Sequence, residues 1–349
     1  MSDAITTAAR PPVRFGFLGA GWIAGNALAP AVHAADGAVL QAVAARDVVR
    51  AAALQPVGRS HGDYAALLED PDVDVVYISL ANDAHLPWTL AALAAGKHVL
   101  CEKPLGLDVA EIERMAEAAR AADRLLVEAF WYRWHPRTRR LEELLRVGAL
   151  GPLRAVEAEF SFAGREDPRM AGNFRLDPAR GGGALYDVGC YAVSAVHLAL
   201  GGEVEVDEVT STLSPGGVDL VAGVGLHAAG GPHAGATATA RCGIWDADRQ
   251  ALAVTGEAAR LDFTTGEAFS NRAAPSALTI TTPDRAVRVE EFAPMDPYRL
   301  MVEGVAHAVR GDAAFLVPLE HTRQVARTLA AARALLPTAD GEARVDHGR

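Results

Sequence analysis

Gly19-Ala20-Gly21-Trp22-Ile23-Ala24 directly follows a short apolar strand pattern at 13–18 and leads into a helix pattern running to residue 32. This G-x-G-x-x-A run leaves few folds open. Its glycines allow a tight turn and a close backbone approach, and the free N–H groups of the following helix receive a pyrophosphate. Such a turn works where a parallel strand hands the chain to a helix. The first half of the chain is therefore expected to be α/β, a doubly wound parallel sheet of the Rossmann type. Gly19, Gly21, Trp22 and Ile23 are the expected first contacts of a dinucleotide. Glycine-rich turns also arise by chance, and it is the position between strand and helix that gives this one its meaning.

The next strands mark where the rest of a nucleotide would lie. The second, at 39–44, ends in Ala45-Arg46, where a NAD-binding chain carries an acid for the ribose 2′-hydroxyl. Without the acid a 2′-phosphate meets no repulsion, and Arg46 offers it a cationic fork. The alternative for Arg46 is a solvated loop cation, and Asp47 opposes the NADP reading if it folds back toward the ribose. After a short helix at 64–68, a third strand at 73–80 ends at Leu80, and Asn82, Asp83 and His85 crowd the following turn. That turn is where a nicotinamide ribose would lie, unless His85 only caps the helix at 86–95. The apolar run His98-Val99-Leu100-Cys101 then delivers Glu102-Lys103-Pro104 to a strand's carboxyl end. Ligands of open α/β sheets bind at such ends, and a Lys and a Glu there are hard to explain as core.

Asp108 with Glu111 forms a capping box for a helix to residue 122, and a strand at 125–129 follows. The run Phe130-Trp131-Tyr132-Arg133-Trp134-His135-Pro136 is the densest in aromatics in the chain. It reads either as inter-domain packing or as a sugar-stacking wall, and a helix from Pro136 continues to about residue 147. From 151 the texture changes to alternating strands at 154–162, 204–213, 218–227, 234–242, 251–255 and 278–282. They imply an α+β domain with a largely antiparallel, open sheet. Within it Gly181-Gly182-Gly183 opens a helix to about residue 200 that carries Asp187 and Tyr191 one turn apart on one face. A tyrosine alone in such a helix is more often core than catalyst, and the Asp and the glycine-rich entry shift that balance. A C-terminal helix at 322–336 packs back on the body. The expected division is a flexible tail at 1–12, a dinucleotide-binding domain at 13–130 and an α+β substrate domain at 131–349.

Composition narrows the function class. A formal charge of −11 in 349 residues argues against nucleic acid as a partner. No apolar run approaches a membrane span, and the first residues lack the apolar stretch of a signal peptide. Cys101, Cys190 and Cys242 show no metal-ligand spacing, so no metal is expected, and a reduced cytoplasmic setting suits them.

Taken together, these residues resemble the glucose–fructose oxidoreductase/inositol dehydrogenase (Gfo/Idh/MocA) family from residue 13 to about 336. The resemblance rests on the glycine run at 19–24, on Glu102-Lys103-Pro104 and on Gly182-Gly183-Ala184-Leu185-Tyr186-Asp187-Val188-Gly189-Cys190-Tyr191. Tyr191 stands where many members have His. With Glu128-Ala129-Phe130-Trp131-Tyr132-Arg133 and Ala45-Arg46-Asp47, it is similar to the branch of NADP-dependent D-xylose dehydrogenases and dimeric dihydrodiol dehydrogenases. Ala45 departs from a common Ser and Ala81 from a common Pro. The resemblance implies NADP as cofactor, with NAD possible, and hydride transfer between nicotinamide and a CH–OH carbon of a sugar or polyol. Lys103, Asp187 and Tyr191 would be catalytic, and Glu102 would join Lys103 at the cofactor. Trp131, Arg133 and Phe162 would line the substrate site with Asp187 and Tyr191. Lys103 as a nearby cation would favour the Tyr191 phenolate and lower a pKa that is ordinarily about 10. A cis Lys103–Pro104 bond and a homodimer through the open sheet face are implied as well. A dihydrodiol or cyclitol dehydrogenase is the alternative enzyme, and an NADP-binding regulator without turnover the alternative class.

Overall fold

The computed structural model describes residues 10–337. Most of the tail expected at 1–12 lies outside the described residues; Arg10, which lies within them, pairs with Asp312 at 3.0 Å. Six parallel strands build the first sheet: β1 Val13–Leu18, β2 Ala38–Ala44, β3 Arg59–His61, β4 Val75–Ile78, β5 His98–Cys101 and β6 Leu126–Glu128, in the order β3-β2-β1-β4-β5-β6. Their near-continuous apolar composition follows from helices covering both faces. The chain reverses its winding between β1 and β4, and a crevice opens at such a switch point beyond the strand ends. Gly19 lies there at φ 103°, where a Cβ would come within 2.6 Å of the Ser79 carbonyl oxygen. Only glycine can take both that φ and that approach.

The second sheet has eight strands: β7 Leu153–Ala163, β8 Val204–Leu213, β9 Asp219–Ala228, β10 Thr237–Gly243, β11 Trp245–Gly256, β12 Arg260–Thr265, β13 Ser276–Thr281 and β14 Val287–Phe292. They run in the order β14-β13-β12-β11-β7-β10-β9-β8, antiparallel except for the central β7–β10 pair. One face buries Val156, Ala158, Ala238, Ala240, Leu252 and Val254, while Glu157, Thr237, Thr239 and Arg241 on the other remain exposed. The helix Cys190–Leu200 packs on the buried face, and ten of its eleven residues are buried. Among the described residues one helical stretch, Pro178–Leu200, is long and apolar enough to cross a membrane by length and composition alone, as a buried core helix can be. Its apolar residues are buried inside the fold.

Three strands and two helices were not expected: β3, β12 and β14, the five-residue helix Val48–Ala52 and the helix Pro297–Val309. β14 exposes most of its residues at the sheet's edge, so no buried face imprints an apolar alternation on it. β12 is short and half polar. The helix Pro297–Val309 begins with a legible signal, Asp296 accepting from the Tyr298 N–H at 2.9 Å and Pro297 in the first turn.

The glycine entry to the second long helix is crowded. A Cβ on Gly182 would lie 2.6–2.7 Å from three carbonyl oxygens, those of Phe174, Arg175 and Asp177. Gly183, at φ 117°, has the Asp219 carboxylate where its Cβ would go, and that carboxylate accepts from the Leu185 N–H at 2.7 Å. Gly183→Ala is expected to cost about 2–4 kcal/mol in denaturant unfolding, through backbone strain and displacement of a buried cap. Gly172→Ala, at a positive φ but in open space, should cost only about 1 kcal/mol.

Candidate active site

The glycine turn meets the end of β4 at the switch point, with Leu80 beside Gly19. Gly21 has nothing within 4 Å of its Cβ position, so the turn presents bare backbone to the crevice. Trp22 is 57% exposed, with the Arg169 guanidinium 4.8 Å from its ring, while Ile23 packs toward the core. Beyond β2, Ala45 is buried and Arg46 is exposed with no ion pair among the described residues. Asp47 caps the next helix by accepting from the Val49 N–H at 2.9 Å, so its carboxylate is committed to the backbone. Arg50, which the motif reading missed, donates to the Ala20 carbonyl at 2.6 Å and brings a second cation to the glycine turn.

At the end of β5 the backbone turns through a cis Lys103–Pro104 bond. Tyr77 donates to Glu102 Oε1 at 2.6 Å, and burial leaves the Glu102 pKa raised despite Lys103 and Tyr77. Glu128 Oε1 accepts from the Leu105 N–H at 2.9 Å. Lys103 Nζ donates to the Asp187 carbonyl at 2.5 Å and lies 3.3 Å from Asp187 Oδ1. The other carboxylate oxygen, Oδ2, accepts from Arg175 Nε at 2.7 Å. Lys103 Nζ also sits 5.1 Å from the centre of the Tyr191 ring. Tyr191 Oη accepts from the Trp131 indole N–H at 2.7 Å, and Trp131 stacks on Tyr298 at 4.4 Å. Phe130, Tyr132, Phe160 and Phe269 enclose the rest of the Tyr191 ring.

The charges follow from burial against this pairing. Burial works against the Asp187 carboxylate, but the Arg175 and Lys103 cations outweigh it and leave the pKa at about 2. Burial likewise works against the Lys103 ammonium, and Asp187 overcomes it, so the lysine stays charged. Tyr191 is the correction. Burial pushes its phenol well above 10, and Tyr298 and Glu102 add to that. Lys103 faces the ring and donates to Asp187, so it does not lower the phenol as expected. Tyr191 is a neutral phenol at neutral pH.

Other expected contacts take structural roles. His85 is fully buried, with Nδ1 2.8 Å from the Pro104 carbonyl oxygen and Nε2 3.3 Å from that of Leu80. Burial lowers its pKa to about 4. A neutral imidazole carries one N–H, so the shorter contact is the hydrogen bond, and the ring braces the ends of β4 and β5. Asn82 is buried and donates to the Gly181 carbonyl at 2.8 Å. Arg133 is buried against Glu142 at 2.6 Å and near the Phe315 ring, so its guanidinium is already paired. Phe162 lies one pleat beyond Phe160 on β7, and it is Phe160 that meets Tyr191, at 5.3 Å between ring centres.

Two family descriptions match the chain: an oxidoreductase family with an NAD-binding Rossmann fold over residues 13–130, and the GFO/IDH/MocA C-terminal domain over 138–262. The chain belongs to the Gfo/Idh/MocA family. This Gfo/Idh/MocA oxidoreductase is 37% identical over 320 residues to D-xylose 1-dehydrogenase (NADP(+)) 2 of Haloferax volcanii, covering 90% of its own chain and 94% of that one. It is 36% identical over 227 residues to the trans-1,2-dihydrobenzene-1,2-diol dehydrogenase of Mus musculus, covering 63% and 66% of the two chains. Among solved structures it resembles KijD10, a 3-ketoreductase from Actinomadura kijaniata in complex with NADP and TDP-benzene. The TM-score is 0.83 at 29% identity, over 92% of this chain and 97% of that one.

Behind the Lys103 turn of this oxidoreductase, burial raises Glu128 from 4.5 to about 7. A folded-state carboxyl pKa above the unfolded value means that the native protein holds the proton more tightly. Stability therefore falls as pH rises from 4.5 to about 7, and the cost is complete above that. Glu128→Gln keeps an acceptor for the Leu105 N–H and removes the charge. Denaturant unfolding at pH 5 and pH 8 should show the variant gaining about 2–3 kcal/mol on the wild type between the two. A difference independent of pH would contradict a buried, titrating carboxyl.

Proposed function

We propose that the protein is an NADP-dependent dehydrogenase that transfers a hydride between nicotinamide and a CH–OH carbon of a sugar or related polyol. One observation carries the reading. A charged Lys103, a permanent Asp187 carboxylate and a neutral Tyr191 phenol converge where the β5 end faces the second sheet's helix. A regulator needs no such set.

The chain's own groups fit the cofactor. Bare backbone at Gly21 suits a pyrophosphate, with Gly19, Trp22, Ile23 and Leu80 around it. Arg46 and Arg50 offer cations to a 2′-phosphate, and Asp47, held as a helix cap, leaves no acid to repel it. Glu102 and Lys103 border the nicotinamide end. When bound, the cofactor supplies the hydride acceptor or donor, and the chain handles the proton. Lys103 polarises the substrate oxygen, Asp187 orients Lys103, and Tyr191 holds a proton at Oη under the Trp131 N–H. In carbonyl reduction that proton passes to the developing alkoxide. In alcohol oxidation the phenol must first lose it to solvent. The aromatic wall that Phe160 of β7, Phe269 and Trp131 form beside Tyr191 also suits the flat face of a cyclic diol, which favours a dihydrodiol dehydrogenase as the second reading. In this reading the cofactor half spans 13–130 and the substrate half 131–349. Two copies pair through the open face of the second sheet, and three free, buried cysteines suit a cytoplasmic setting.

Arg46→Ala should raise KM for NADP by about 10–100-fold, the weight of a charge-assisted bidentate contact of about 1.5–3 kcal/mol. It should leave KM for NAD nearly unchanged, and equal losses with both cofactors would refute the assignment. Tyr191→Phe should lower turnover by roughly 10²–10⁴-fold, with NADPH binding followed by fluorescence intact. Wild-type carbonyl reduction should be flat through neutral pH, and alcohol oxidation should rise with pH without a plateau below about 10. A plateau near pH 7 would assign the proton to another group.

A further inference from the structure

Between β7 and the Asp187 helix the chain makes a strap, residues 164–182, of four one-turn 3₁₀ segments: Gly164–Glu166, Pro168–Met170, Phe174–Leu176 and Pro178–Arg180. Asp167, Asn173 and Asp177 cap three of them with their own side chains. The strap is tied to the cofactor half at three points. Arg169 lies on the Trp22 ring, Gly181 accepts from Asn82 at 2.8 Å, and Arg180 Nε is 3.4 Å from Asp83 Oδ2. Midway between these ties Arg175 reaches Asp187, with Nε 2.7 Å from Oδ2.

We infer that Arg175 is a positioning residue for the proposed dehydrogenation, acting on Lys103 through the Asp187 carboxylate. The argument is one of valence and burial. Asp187 is 6% exposed, and its two oxygens are divided, Oδ1 toward Lys103 and Oδ2 toward Arg175. A carboxylate gripped at both oxygens cannot rotate, so Oδ1 stays where it holds the ammonium beside the Tyr191 ring. Without the guanidinium, one cation must offset a buried charge, and the carboxyl gains both freedom to turn and reason to protonate. Lys103 would then lose its anchor and be drawn to Glu102, its other acidic neighbour.

Few other charges reach Asp187. Glu102 and Lys103 face it from the β5 end and Arg175 from the strap, while Cys190 and Tyr191 lie on its own helix. Behind that helix's first turn stand Asp219 at the start of β9 and Arg333 of the C-terminal helix, the latter over the Tyr186 ring. Arg175 is the one cation of this set that the strap brings, so the inference is specific to it.

This inference rests on the dehydrogenase reading, and two measurements separate the two. The first is carbon-13 NMR of aspartate-labelled protein, which follows the Asp187 carboxyl without turnover. It should titrate near 2 in the wild type, move above its ordinary 3.8 in Arg175→Gln, and return most of the way in Arg175→Lys. The second is the pH profile of kcat/KM on the best polyol found. Arg175→Gln should lose roughly 10²-fold at neutral pH, the order expected from a small misplacement of a reacting group. It should also gain an acidic limb that Arg175→Lys largely removes, with NADPH affinity unchanged. Arg180→Gln, which cuts another tie of the same strap, should reproduce neither effect. An unmoved Asp187 signal in Arg175→Gln, or the same losses in Arg180→Gln, overturns the inference. A moved signal in a protein that oxidises no polyol and reduces no matching carbonyl overturns the dehydrogenase reading instead.

Discussion

A single buried carboxylate organises the meeting of the two sheets. Asp187 sits on the helix of one half and takes its cations from elsewhere, Lys103 from the end of β5 and Arg175 from the strap. Burying an ion is costly unless its partners are in place, and removing one partner of a buried pair costs more than the pair contributes. The three segments, about 84 residues apart at the extreme, therefore hold together as a unit. The glycines at 182 and 183 exist to let that helix begin where it does, against three carbonyls and the Asp219 carboxylate.

What the amino-acid sequence discloses depends on whether the responsible force is local. The glycine turn needs a particular φ and a particular neighbour, and both are written in residues 13–24. Strand β8 lies at the residues its alternation indicates, 204–213, and β5 at 98–101. The helix from Pro136 and the helix capped by Asp108 likewise follow from their first turns. Edge strand β14 lacks a buried face, so nothing apolar marks it.

The site is less legible because its roles are set by non-local partners. His85 and Asn82 have the chemistry of cofactor contacts, yet tertiary carbonyls at Leu80, Pro104 and Gly181 claim their donors. Arg175 and Arg50 lie outside any motif and matter only through where the fold carries them. The Tyr191 phenol shows the limit most clearly. Charge counting along the sequence favours ionisation beside a lysine, whereas six aromatic rings around Tyr191 remove the water that a phenolate needs. Both glycine-rich entries also open into a single π turn, Ala24–Leu28 and Leu185–Gly189, a widening that recurs at functional positions and that no residue pattern announces.

The C-terminal helix Leu319–Ala334 packs Leu319 and Ala326 into the cluster that contains Leu126, Ile112 and Met115 of the first half. Arg323 pairs there with Glu113 at 2.7 Å. The first sheet is thus complete in its strands nearly two hundred residues before this last part of its covering is made. On a ribosome that adds residues at about 5–20 per second, the nascent Rossmann half waits ten seconds or more, on this order, with an apolar patch facing solvent. Among the described helices, the one synthesised last is thus the one that closes the cluster around Leu126, Ile112 and Met115.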